Sequence, residues 1–149
     1  MKTLQELQPL ILEWAKEKDL LKLENAPKQR LKLLEEVGET AAAILKNNHE
    51  GVKDGIGDMF VVLVILNAQI DSDLEFDIDG FEKSKETDIY EILKNIAFVN
   101  NGSLYSELSV LNDACNFLNL DLTECANLAW NEIKDRKGNT INGVFIKNN

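Results

Sequence analysis

Residues 31–70 hold the side chains best placed to do chemistry: Glu35-Glu36-Val37-Gly38-Glu39, then Lys53-Asp54-Gly55-Ile56-Gly57-Asp58. At about 100° per residue, Glu35, Glu36 and Glu39 fall on one arc of a helix, and Asp54 and Asp58 stack at i, i+4 on a second. A polar turn at 47–51 joins the two, so antiparallel packing is expected to bring Glu39 level with Asp58. Carboxylates crowded in this way repel one another unless a cation lies among them. Hard divalent ions take oxygen ligands, and Mg2+ bridges carboxylates to substrate phosphates. A solvated acidic face is the competing reading, and two clusters matched about one turn weigh against it.

The elements that must position these acids read as helices. Thr3 or Lys2 opens the first, with Leu4, Leu7, Ile11, Trp14 and Ala15 at three- and four-residue steps. Trp14 is read as a core or interface residue, with a base-stacking role as its functional alternative. Asn25-Ala26-Pro27 has the form of a helix entry, Asn as cap and Pro in the first turn. The helix that follows carries Leu31, Leu34, Val37 and Ala41 as its expected apolar stripe, widened by Leu33 and Ile44. The next contains Met59-Phe60-Val61-Val62-Leu63-Val64-Ile65-Leu66, apolar all round. Periodicity alone would allow a strand there; Asp54, Asp58 and Asn67, read as near one face, favour a helix. A helix apolar on every side must be covered on every side, and a second copy of the chain is expected to supply part of that cover.

Residues 71–85 alternate acids with apolar side chains and read as loop or extended chain. Two amphipathic helices follow, one capped near Thr87 or Asp88 and one after Ser103. Asp121-Leu122-Thr123-Glu124 forms a capping box for the last helix, which Lys134, Asp135, Arg136 and Lys137 close and Gly138 stops. Thr140 to Ile146 reads as a small hairpin about Asn142-Gly143. The reading is one domain over 1–149.

Three stretches carry a family resemblance: Lys32-Leu33-Leu34-Glu35-Glu36-Val37-Gly38-Glu39, Asp54-Gly55-Ile56-Gly57-Asp58-Met59-Phe60-Val61-Val62-Leu63 and Asn131-Glu132-Ile133-Lys134-Asp135-Arg136-Lys137-Gly138. The sequence resembles the all-α nucleoside triphosphate pyrophosphohydrolases, in particular the short MazG-like proteins of bacteria and phages, over residues 3–70 and 115–147. The resemblance implies an all-α fold: a four-helix-bundle core of the MazG-like type, with an inserted helical pair at about 71–110 and a short C-terminal β-hairpin. It implies hydrolysis of (deoxy)nucleoside triphosphates to monophosphate and pyrophosphate with Mg2+, or Mn2+ in its place. The family's ligand motif is Glu-x-x-Glu followed by Glu-x-x-Asp. Glu36, Glu39 and Asp58 match it, Gly55 stands where a Glu is expected, and Asp54 compensates in part. Glu35 is the candidate for orienting or deprotonating water. Lys32, Lys134, Arg136 and Lys137 are candidates for phosphate, Asn67 and Trp14 for the nucleoside. Each has a plainer alternative: a snorkelling lysine, helix-end charge compensation, a buried hydrogen-bonded Asn. With Gly55 in place, attenuated activity or a non-catalytic helical interaction module stays open.

Composition sets the remaining bounds. At 149 residues, 44% hydrophobic and 28% charged, the chain is long enough for a core and too apolar for general disorder. A net charge of −10 opposes nucleic-acid binding. The apolar run is shorter than the roughly 20 residues of a membrane span. Cys115 and Cys125 read as reduced core thiols, and with no apolar leader at the start the cytoplasm is the expected compartment. Residues 75–86 come close to a twelve-residue calcium loop, but Glu75 begins it and Glu82 stands where an apolar residue is usual, which makes a calcium-responsive regulator the weaker reading. His49 reads as a solvated turn residue. A homo-oligomer, dimer or tetramer, is the expected state.

Overall fold

The computed structural model describes residues 1–70, 88–98 and 104–148. Among them are six α-helices, a single 3-10 turn and one antiparallel hairpin: α1 (Leu4–Glu17), the 3-10 turn (Leu23–Asn25), α2 (Ala26–Leu45), α3 (His49–Ile70), α4 (Ile89–Ala97), α5 (Leu104–Leu118), α6 (Leu122–Ile133), β1 (Gly138–Ile141) and β2 (Val144–Lys147). The all-α expectation holds, and the expected short C-terminal hairpin is present. The calcium-like stretch, the alternating segment and the Ser103 cap lie outside the described residues.

Local chemistry starts the helices. Thr3 Oγ1 accepts from the Glu6 amide at 3.2 Å while Glu6 Oε2 accepts from the Thr3 amide at 2.7 Å, a reciprocal cap on α1. Asp88 caps α4 through the Tyr90 amide, and Asp121 caps α6 through the Glu124 amide. Asn25 is not the cap expected of it. Its side-chain amide donates to the Asp19 and Leu20 carbonyls, fastening the α1–α2 connection. Between α2 and α3, Asn47 takes a positive φ and Asn48 Oδ1 accepts from the Gly51 amide, so His49 is already the first, exposed residue of α3.

The ambiguous apolar run is helical and lies at the centre. Ile56, Met59, Phe60, Leu63 and Leu66 of α3 are fully buried, each worth about 1.5–3 kcal/mol relative to exposure. α1, α2, α5 and α6 all pack on α3, so the chain itself supplies the cover that the sequence reading assigned partly to a second copy. Two glycines let the neighbours come close. A Cβ at Gly55 would lie 2.1 Å from Thr40 Oγ1 on α2, and one at Gly57 would lie 2.3 Å from the Cys125 carbonyl oxygen on α6. Spaced two residues apart, they admit helices on opposite sides of α3 at the level of Asp58.

The inward face of α2 matches the expected stripe only in part. Leu33, Glu36, Val37, Thr40 and Ala43 are buried, whereas Leu31 and Leu34 are 58% and 53% exposed. Both faces of this helix carry apolar residues, and the close approach at Thr40 and Gly55 selects the one that includes Glu36.

Gly138 does not stop α6. The helix ends at Ile133, a turn follows, and Gly138 opens β1 in register with Lys147, where a Cβ would strike the Ile146 carbonyl and the Phe145 ring. Positive φ at Asn142 and Gly143 forms the expected two-residue turn. The hairpin docks on the end of α1: the Phe145 ring meets Trp14 edge-on, centroids 5.3 Å apart, and the Thr140 hydroxyl donates to the Lys18 carbonyl. Elsewhere Cys115 and Cys125 are buried free thiols, as expected. Glu107 of α5 is buried, and burial pushes its carboxyl up to about 7 despite Arg30.

Candidate functional site

The close contact of α2 and α3 sets their register. Thr40 stands against Gly55, and the Gln29 amide donates to the Val62 carbonyl at 3.3 Å. Glu36 is therefore the residue brought to Asp58, while Glu39 faces Asp54, one turn away from the pairing expected from the sequence. The electrostatics follow this register. Burial pushes the Asp58 carboxyl up to about 7, with Glu36 and then Asp54 adding repulsion and Arg136 opposing it. Burial likewise raises Glu36, against the pull of Lys32 and with repulsion from Glu39 and Glu35. Asp54 is raised by partial burial and by Glu132, again with Arg136 opposing.

A cleft of about 540 Å³ opens beside this pair. Its acidic end holds Glu35, Glu36 and Asp58. Its apolar wall is Trp14, Leu20, Val61, Val62, Ile65 and Phe145, and Lys28, Lys32, Arg136 and Lys147 supply the positive charge. Helix α2 contributes Glu35, Glu36 and two lysines, α3 Asp58 and the floor, the turn after α6 the arginine, and the hairpin one wall.

Of the residues singled out in the sequence, Trp14, Lys32, Glu35, Glu36, Asp58 and Arg136 line the cleft. Glu39 and Asp54 are exposed at the margin of the acid cluster, within electrostatic reach of each other, with Glu39 acting on Glu36 and Asp54 on Asp58. Lys134 and Lys137 do not line it. Lys134 bonds Asn131, and Lys137 belongs to a shallow groove beyond Arg136. Asn67 is buried away from the cleft: nine residues at about 100° make two and a half turns, which puts it opposite Asp58. Lys28, Lys147 and Phe145 were not singled out. Lys147 and Phe145 come to the cleft because the hairpin docks, and Gly143 lying against Lys28 of α2 marks that contact.

Carboxylate oxygens buried together with too few cations are the donor set a hard divalent ion takes, so the chemistry of the cluster fits Mg2+ or Mn2+. Its side chains do not close round one point: among the described residues no three ligating groups are close enough to hold a metal ion. Instead Lys32 Nζ lies 2.6 Å from Glu36 Oε1 and 2.9 Å from Glu35 Oε2. Arg136 is engaged by Glu132 at 2.8 Å.

An all-α core with opposed carboxylates on neighbouring helices beside a mixed apolar and cationic cleft defines a class of helical, acid-centred proteins. Within it, residues 26–86 match the model of the MazG nucleotide pyrophosphohydrolase domain, which covers α2, α3 and the acid cluster. The MazG-like resemblance read from the motifs holds over that stretch. An uncharacterized 18.2 kDa protein from the rep-hol intergenic region of Haemophilus phage HP1 is similar, 46% identical over 77 residues. That alignment spans 50% of this chain and 47% of the phage protein. No solved structure matches. Among the described residues no helix is long and apolar enough to cross a membrane.

Proposed function

We propose that this chain is a Mg2+-dependent nucleoside triphosphate pyrophosphohydrolase, one domain with an insertion at about 71–110, acting in the cytoplasm. The observation that carries the reading is the opposition of the buried Glu36 and the half-buried Asp58, two mutually repelling acids, at the end of a cleft whose other walls are cationic and apolar. Glu36 and Asp58, with Glu39 and Asp54 beside them, would hold Mg2+, or Mn2+ in its place. The ion supplies neutralisation and polarisation of the phosphoryl oxygens.

The chain's own residues do the rest. Glu35, exposed at the acidic end, orients a water and takes its proton as the water oxygen bonds to the α-phosphorus. The bond from that phosphorus to the bridging oxygen breaks, and pyrophosphate leaves. Lys28, Arg136 and Lys147 meet the phosphate charge. Trp14 and Phe145 offer an apolar surface to the base. Incubation with Mg2+ and a panel of nucleoside triphosphates is expected to release pyrophosphate, with Glu39→Gln reducing the rate on the order of tenfold or more, as loss of a group supporting a metal site does. No release across the panel at high protein concentration would overturn the assignment and favour a non-catalytic interaction module.

The oligomer proposal rests on α2. Its outward stripe runs from Leu31, at the cleft edge, through Leu34 and Gly38, which has nothing within 4 Å of a Cβ position, to Leu45 two turns on. Such a face suits a facing helix of a second copy. Leu34→Glu is expected to shift the sedimentation profile to monomer, and a monomeric wild-type protein would refute the proposal.

A further inference from the structure

The ammonium of Lys32 sits where the acid cluster needs positive charge. It bridges Glu36 at 2.6 Å and Glu35 at 2.9 Å, and among the described residues it is the cation that acts on the Glu36 carboxylate. Glu36 is 3% exposed, while the Lys32 side chain is about half exposed at the cleft edge. The other charged groups that act on Glu36 are acids of the cluster: Glu35, Glu39 and, from α3, Asp58.

We infer that Lys32 is an exchangeable internal counter-cation, which holds Glu36 in the metal-free chain and must release it before a divalent ion binds. The inference rests on the metal-dependent reading of the cleft and adds a competitor built into α2. A buried carboxylate left without a cation is destabilising, so the metal-free chain needs Lys32. Both cations would draw on the one Glu36 carboxylate, and a divalent ion and an ammonium held in contact repel, so binding of the ion works against the Lys32 bridge. Lysine suits the task better than arginine: a single point charge on a flexible stem lets go without breaking a bidentate fork. Once displaced, the ammonium keeps Glu35 within reach and lies at the cleft edge, where an anionic ligand enters.

The test is calorimetric titration of the full chain with Mg2+ and with Mn2+, alongside thermal unfolding with and without the ion. Lys32→Met is expected to tighten ion binding on the order of tenfold, the scale on which neighbours of metal ligands act. It is also expected to melt below the wild type without ion and to close that gap at saturating ion. Lys28→Met removes an equal charge from the same cleft without touching Glu36, and is expected to leave the affinity within about twofold. Should Lys32→Met fail to fold, Lys32→Gln, which keeps a hydrogen-bond donor, takes its place. Equal affinity in Lys32→Met and wild type, or equal tightening in Lys28→Met, overturns the inference while leaving a metal site intact. Absence of Mg2+ and Mn2+ binding to the wild type overturns the metal reading, and the inference with it.

Discussion

Gly55→Glu, the substitution that would complete the ligand motif implied by the family resemblance, is expected to separate α2 from α3 and to lower activity instead of raising it. A Cβ at this position would lie 2.1 Å from Thr40 Oγ1, 3.2 Å from Thr40 Cβ and 3.4 Å from its Cα. The hydroxyl cannot swing aside without loss, since it donates to the Glu36 carbonyl at 2.8 Å in a buried place. Overpacking of this kind costs about 1–3 kcal/mol. A carboxylate buried against a helix with no cation of its own adds several more. Urea unfolding is expected to place Gly55→Glu on the order of 3 kcal/mol or more below the wild type, and Gly55→Ala within the overpacking range alone. Thr40→Ala combined with Gly55→Ala should recover part of that loss, a coupling of about 1 kcal/mol for residues in contact. A Gly55→Glu protein with the wild-type midpoint and faster pyrophosphate release would mean that position 55 faces the ligands. The structure turns the apparent gap in the motif into a packing requirement: the glycine brings Glu36 within reach of Asp58.

What was legible in the sequence was what depends on neighbours along the chain. Thr3, Asp121 and Asn142-Gly143 act within four residues: Thr3 opens α1, Asp121 caps α6 on the Glu124 amide, and Asn142-Gly143 make the turn, though the Glu124 side chain turns to Lys53 and leaves the α6 capping box half formed. The meeting of two acid clusters across a short turn was also legible, because antiparallel helices joined by few residues have little freedom of register. The detail slipped by one turn. The reversal centres a residue or so earlier than expected, at Asn47 and Asn48, and a shift at the turn exchanges Glu39 for Glu36 opposite Asp58. The buried face of α2 was illegible for a different reason. Polar Gln29, Glu36 and Thr40 lie inward and Leu31 and Leu34 outward, which reverses a hydrophobicity pattern and is decided by the glycine contact on another helix. The hairpin's part in the cleft is tertiary throughout: Phe145 reaches Trp14 across more than a hundred residues of sequence, so nothing local marks Lys147 or Lys28 as cleft residues.

Asp58→Asn is expected to abolish activity while making the protein more stable at neutral and alkaline pH. The carboxyl is held at about 7 by burial first and by Glu36 and Asp54 second, against an ordinary value of 3.8. With the folded value raised, the unfolded chain gives up this proton first as pH rises. Asp58 therefore costs no stability below about pH 4, becomes progressively destabilising between about 4 and 7, and reaches its full penalty above 7. Asparagine carries no such penalty, so melting temperatures of variant and wild type should coincide near pH 4 and diverge in favour of the variant toward pH 8. Activity moves the other way. An ionised carboxylate is what a divalent ion requires, so wild-type pyrophosphate release should climb as pH passes through about 7. Removing a group that stabilises developing charge costs on the order of a hundredfold or more, and no pH restores it to the variant. A more stable protein that has lost its activity would mark Asp58 as a residue kept for chemistry at the expense of the fold. An Asp58→Asn protein less stable than wild type at pH 8, or as active, would return Asp58 to the scaffold.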